Sequence, residues 1–143
     1  MKIDMTNGIF QADKQTTMKL IDTQTRKRFA EIGNQRETSN PLVVAKFFNP
    51  CGSQTWYATE YNPETNVCMG YVTGMGFDEW GTFSIDELES LRLSFGLTIE
   101  RDLYFKETPF DEVMNRENGV ALESKKELEK YRSSSADEYE IDR

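Results

Sequence analysis

Glu100 and Asp102 stand two residues apart in LTIERDLYF, and on a strand two acids at that spacing point the same way. Carboxylates so placed can hold Mg²⁺ through oxygen alone, and Asp78, Glu79 and Glu89 are further ligand candidates. Carboxylates matter here because the chain contains no histidine. That absence removes Ser-His and Cys-His nucleophile pairs, imidazole bases and histidine metal sites. Cys51 and Cys68 cannot form a zinc site by themselves, and Cys51, the alternative nucleophile, has no base or cation beside it in sequence to activate its thiol. The plainer reading of the acids is a solvated sheet face, since no DxD loop or EF-hand spacing joins them. Arg101 is more informative. On the face of Ile99, Leu103 and Phe105 it requires either a buried acid, such as Glu60 or Glu89, or an anionic ligand. If it is buried in an ion pair, Arg101→Met should cost less than removing the acid alone, which strands a charge at roughly 3–5 kcal/mol.

The charge map narrows the partners. The 143 residues carry a net charge of −8, with pronounced asymmetry. Residues 18–36 hold five Lys or Arg against two Asp or Glu, whereas residues 37–122 hold five against fourteen. A body with that acid excess repels phosphate backbones, so direct nucleic-acid binding is not expected, and basic proteins and divalent cations are the partners it attracts. No run of about 18 apolar residues provides a membrane span. The MKIDMTNGIF start has no apolar signal region, so the expected location is cytoplasmic.

The elements that must position these residues follow from pattern. Residues 1–17 lack periodicity and read as a flexible N-terminal arm. Asp22 or Thr23 caps a short helix that Gly33 stops. LVVAKFF (42–48) reads as one strand covered on both faces, followed by QTWYATEY (54–61) and NVCMGYVTG (66–74) across an Asn-Pro turn. Five-residue loops set Lys46 opposite Trp56, as a cation–π contact, Ala45 opposite Tyr57, Tyr57 opposite Tyr71, and Cys68 opposite Glu60. Val44, Ala58 and Gly70 then form a shallow strip for a helix. Cys51 at a hairpin tip and Cys68 in mid-strand are about 20 Å apart, too far for a disulfide.

GMGFDEW (74–80) is a glycine-punctuated turn without the spacing of a phosphate loop, so no cofactor is expected. EWGTF is a fourth strand. SIDELESLRLSFG is a helix capped by Ser84 and Glu87 and ended by Gly96, with Ile85, Leu88, Leu91 and Phe95 as its apolar stripe. Residues 97–105 make a fifth strand, and Thr108-Pro109 opens another helix. Residues 121–143 read as a marginal charged helix and an acidic disordered tail. The expected fold is α+β: an antiparallel meander of about five strands with two or three short helices packed on it, in a single domain over 18–120.

PLVVAKFFNPCGSQTWYATEY, then GYVTG, EWGTFSIDELESL and GLTIERDLYF, resembles the bacterial domain-of-unknown-function family 2958 over about residues 18–113. Members share an apolar strand ending in Lys-Phe-Phe, a Trp-Tyr strand, a turn into a Glu-Leu-Glu-Ser helix and a Glu-Arg-Asp-Leu-Tyr-Phe strand. Thr82 stands where the family often has an aromatic residue. The resemblance implies a small protein of plasmids, integrative elements or phages, with no activity or catalytic residue to carry over.

Two functions follow as expectations. The first is a non-enzymatic acidic domain that binds a basic protein through Glu79, Trp80, Asp86, Glu87, Glu89, Glu100, Arg101 and Asp102. Its sharper form is a counter-defence inhibitor, anti-CRISPR or anti-restriction, that occupies a basic nucleic-acid channel of an effector. The second is a carboxylate-dependent metal enzyme, which requires those acids to converge in a pocket.

Overall fold

A computed structural model of the chain describes residues 19–117. The expected arm (1–17) and charged tail (121–143) lie outside the described residues. The chain divides into two compact units, Met1–Thr108 and Pro109–Arg143. In the second, residues 110–117 are helical, with an i,i+4 bridge from Arg116 to Glu112 at 3.1 Å.

The first unit is the α+β fold anticipated from the pattern. Helix α1 (Thr23–Ile32) starts where the Asp22 carboxylate accepts the Thr25 N–H at 2.8 Å. It stops at Gly33, whose φ of 73° lets its N–H reach back to the Phe29 carbonyl. The apolar run 42–48 is two strands rather than one. Strand β1 (Leu42–Val43) enters a separate two-stranded sheet, while β2 (Ala45–Phe48) joins the main one. Strands β3 (Thr55–Asn62), β4 (Val67–Thr73) and β5 (Glu79–Ser84) continue as an antiparallel meander. Strand β6 (Glu100–Arg101) then crosses to the far edge, giving the order β5-β4-β3-β2-β6.

Two features change the expected register. Residues 49–54 separate Phe48 from its partner Thr55, one more than the loop assumed, so Lys46 faces Tyr57 and Phe47 faces Trp56. The ammonium of Lys46 accordingly lies over the Tyr57 ring, 5.7 Å from its centroid, and not over Trp56. A bulge between Ala58 and Glu60 shifts the far half of β3, which sets Cys68 opposite Tyr61 instead of Glu60. Before the bulge, Tyr57 faces Tyr71 and Ala58 faces Gly70 as anticipated.

One sheet face carries Phe47, Trp56 and Val72 in a row. Phe47 and Trp56 pack in a buried core with Leu20, Phe29, Ile85 and Leu88, and Val72 packs against it half-buried. The other face carries the row Lys46, Tyr57, Tyr71 and Trp80. Both cysteines are free: Cys51 is exposed in the first turn and Cys68 is buried, where loss of solvation pushes its thiol pKa up.

Helix α2 (Ile85–Ser90) is shorter than its sequence stripe. Ser84 caps it, accepting the Glu87 N–H at 3.1 Å. Its C-terminal carbonyls are claimed early by side chains: Ser90 Oγ–H donates to the Glu87 carbonyl and Arg92 Nη1 to the Glu89 carbonyl. Leu91 is therefore extended, and Leu91 and Phe95 fall outside the helix and its buried stripe. Strand β6 is also truncated. The Asp102 carboxylate accepts the Tyr104 N–H at 3.0 Å and turns the chain, leaving Leu103 and Tyr104 exposed.

Candidate functional site

The carboxylates do not converge. Glu79 and Glu100 lie on opposite edge strands, four inter-strand steps or roughly 19 Å apart. Asp102 is committed to Lys46 at 3.7 Å and to its own turn. Asp86 accepts from the Asn66 side chain at 2.7 Å. Among the described residues no three His, Cys, Asp or Glu are grouped so as to hold a metal.

Two of the candidate binding residues grip the backbone. The Glu89 carboxylate accepts the Leu20 N–H at 2.9 Å. From the other side, Arg101 Nη1 donates to the Leu20 and Lys19 carbonyls at 3.0 and 3.2 Å, and its Nη2 to Asp22 at 3.1 Å. The acid beside Arg101 is thus Asp22, not Glu60 or Glu89. Glu60 instead accepts the Gln35 N–H. Hydrogen bonds from Thr25 are the main reason the Asp22 carboxyl titrates below its usual range, with the Arg101 charge adding to the effect.

Two of the remaining candidates, Glu79 and Glu87, meet exposed apolar side chains at one end of the sheet, whereas Glu100 lies on the far edge strand. The β2–β3 and β4–β5 turns lie there together, joined where Ser53 Oγ–H donates to the Gly74 carbonyl at 3.2 Å. The segment after α2 reaches the same place, with Cys51 Sγ 3.7 Å from the Ser94 carbonyl. Met75, Phe77 and Leu91 line a groove of about 600 Å³ whose floor includes Trp56 and Val72. Their exposures of 52, 74 and 43% are high for such side chains. Glu79 and Glu87 are in its wall, and no Lys or Arg is among the described residues that line it. Trp80 sits on the opposite sheet face, packed edge-on to Tyr71 with ring centroids 5.3 Å apart.

A larger cleft, about 940 Å³, lies at the other end between α1, the 33–41 loop and the bulged part of β3. Several of its polar groups are used internally. The Gln35 amide donates to the Leu42 and Thr59 carbonyls, and the Tyr61 hydroxyl donates to Asn66 at 2.6 Å. The turn end of the sheet, where exposed apolar side chains meet two acids, is the candidate site.

Sequence reasoning named Glu79 and Glu87 as binding residues but missed Met75, Phe77 and Leu91 beside them. A signal existed for the first two: Met75 between Gly74 and Gly76, and Phe77 between Gly76 and Asp78, belong to no periodic element that could bury them.

A family model described as a protein of unknown function (DUF2958) matches residues 14–113, well over half of the chain. The chain belongs to the DUF2958 family. No curated protein and no solved structure matches it. The DUF2958 match spans α1, the whole main sheet and the turn end with its groove. Among the described residues, no helix is long and apolar enough to cross a membrane.

Proposed function

We propose that this DUF2958 protein is a docking domain that binds a basic protein through the turn end of its sheet. The observation that carries this reading is the coincidence, in one groove, of exposed apolar side chains with a wall whose charged residues, Glu79 and Glu87, are both acids. Contiguous exposed apolar surface bounded by polar residues marks a docking site. Glu79 and Glu87 add long-range attraction for Lys and Arg, and they repel nucleic acid. The partner that fits best is a protein with a basic channel, such as a nucleic-acid-binding effector that the domain would block. An inhibitor acting against a host defence enzyme is the sharper form of that reading.

Charge reversal tests it. Host proteins retained by the immobilised full-length chain are identified by mass spectrometry, and the dominant species is then purified. Glu79→Lys with Glu87→Lys should weaken its binding at least tenfold, or about 1.4 kcal/mol. Raising the salt should weaken the wild-type complex, because exposed charges are screened within about 8 Å at physiological ionic strength. Affinity indifferent to both changes would sink the proposal. So would tight mobility shifts on labelled DNA or RNA, or a Mg²⁺-dependent turnover lost in Asp102→Asn.

A further inference from the structure

Phe95 occupies a position that both its backbone and its side chain should avoid. Its φ of 62° and ψ of 25° place it in the left-handed region, which a large side chain enters only against steric resistance and which Gly or Asn accepts more readily. The residue is 96% exposed, so it also gains almost nothing from burial, although aromatic rings are among the largest sources of buried area. Two independent penalties at one residue, with no compensating contact among the described residues, point to a functional role for it.

The surrounding geometry presents the ring instead of letting it collapse. The Leu93 N–H donates to the Leu97 carbonyl at 2.8 Å, and the Leu97 N–H donates back to the Ser94 carbonyl at 3.2 Å. These bonds close the base of the turn, and Cys51 braces it from the neighbouring hairpin through Ser94. Gly96 follows at φ 75°, so two successive left-handed residues lift Phe95 away from the body. The turn begins four residues after Ser90, which lines the acidic groove together with Leu91.

We infer that Phe95 is the anchor side chain of the docking surface, inserting into an apolar pocket of the partner whose Lys or Arg rim faces Glu79 and Glu87. This rests on the docking reading above and names the residue that would dominate it. An aromatic carried on a closed turn is suited to that role, because the backbone that presents it has little freedom left to lose on binding. The occupant is a basic protein and not a second copy of this chain, since self-association would bring two copies with a net charge of −8 each together.

A displayed library of random 16-residue peptides, selected on the full-length wild-type chain, supplies the probes. Their affinities are then measured for wild type, Phe95→Asn, Phe95→Leu and the Glu79→Lys/Glu87→Lys double variant, beside melting temperatures. Enriched peptides should combine apolar residues with Lys or Arg. They should bind Phe95→Asn at least tenfold more weakly and Phe95→Leu nearly as well as wild type. Phe95→Asn should melt no lower than wild type and about 2–4 °C higher if the backbone penalty is fully relieved. Equal affinity for Phe95→Asn, an absence of enriched peptides, or a lower melting temperature for that variant would overturn the anchor. A wild-type dimer that Phe95→Asn dissociates would replace the basic partner with a second copy, and overturn it as well. Loss of binding on charge reversal alone would remove the anchor but leave the acidic docking reading; loss in Phe95→Asn alone would keep Phe95 as a docking residue and overturn the acidic rim.

Discussion

Gly70→Ala should destabilise the protein by about 3 kcal/mol or more, whereas Gly81→Ala, directly opposite it on β5, should cost less than about 1 kcal/mol. A methyl group at Gly70 would be driven into the Tyr57 carbonyl and would stand only 3.0 Å from the Ala58 Cα. Both are backbone atoms of the neighbouring central strand, so no side-chain rotation can relieve the overlap. The bulge just beyond Ala58 brings β3 close over this point, which explains why a residue without a side chain sits in mid-strand. At Gly81 nothing lies within 4 Å of the added methyl. Denaturant unfolding of the two variants gives the comparison directly, and similar small losses for both would show that β3 is not held where the bulge places it.

Arg101→Met should cost about 2 kcal/mol or more, and Asp22→Asn clearly less. The ordering reverses what a buried ion pair would produce. Leu20 is fully buried, and the guanidinium donates to its carbonyl and to that of Lys19. Met removes those donors and cannot replace them. Asp22 keeps 44% of its side-chain surface exposed, so water and the two carbonyls still satisfy Arg101 after the acid is gone, and Asn remains a good helix cap. Because the folded Asp22 carboxyl titrates below its unfolded value near 4, its contribution is present above pH 4 and is lost as the pH falls through the folded value. Asp22→Asn should therefore flatten the acid limb of the stability profile. Unfolding midpoints at pH 7 and pH 3 settle both points, and equal losses for the two variants at pH 7 would restore the ion pair as the main interaction.

Local chemistry was legible in the sequence. The Asp22 and Ser84 caps, the Gly33 stop and the Tyr57–Tyr71 pairing all depend on neighbours a few residues away or on a short turn, and all are present. Features that were not legible depend on distant chain segments or on single insertions. One extra residue in the 49–54 turn slid β2 against β3, and a bulge at Thr59 moved Cys68 to a new partner. Helical periodicity marked Leu91 and Phe95 as core, yet Ser90 and Arg92 ended the helix before periodicity could act. At the site, composition identified Glu79 and Glu87 as surface acids. Which apolar residues share their groove depended on two turns and a post-helical segment meeting at one end of the sheet. Glu89 and Arg101 looked like binding groups because nothing nearby in sequence reveals that both reach residue 20.

That shared grip on Leu20 ties together the segments around residues 20, 89 and 101. The β3–β4–β5 meander needs only short loops to form, so it can assemble early at little entropic cost. The Leu20 clasp spans separations of 69 and 81 residues, and it can close only after α2 and β6 are both in place. Folding should thus end, and opening begin, at the same point. The Leu20 and Arg101 amides should exchange with solvent together and before those of the central strands, so that the two-residue β6 behaves less as a strand of the sheet than as the latch of its last-formed and first-released part.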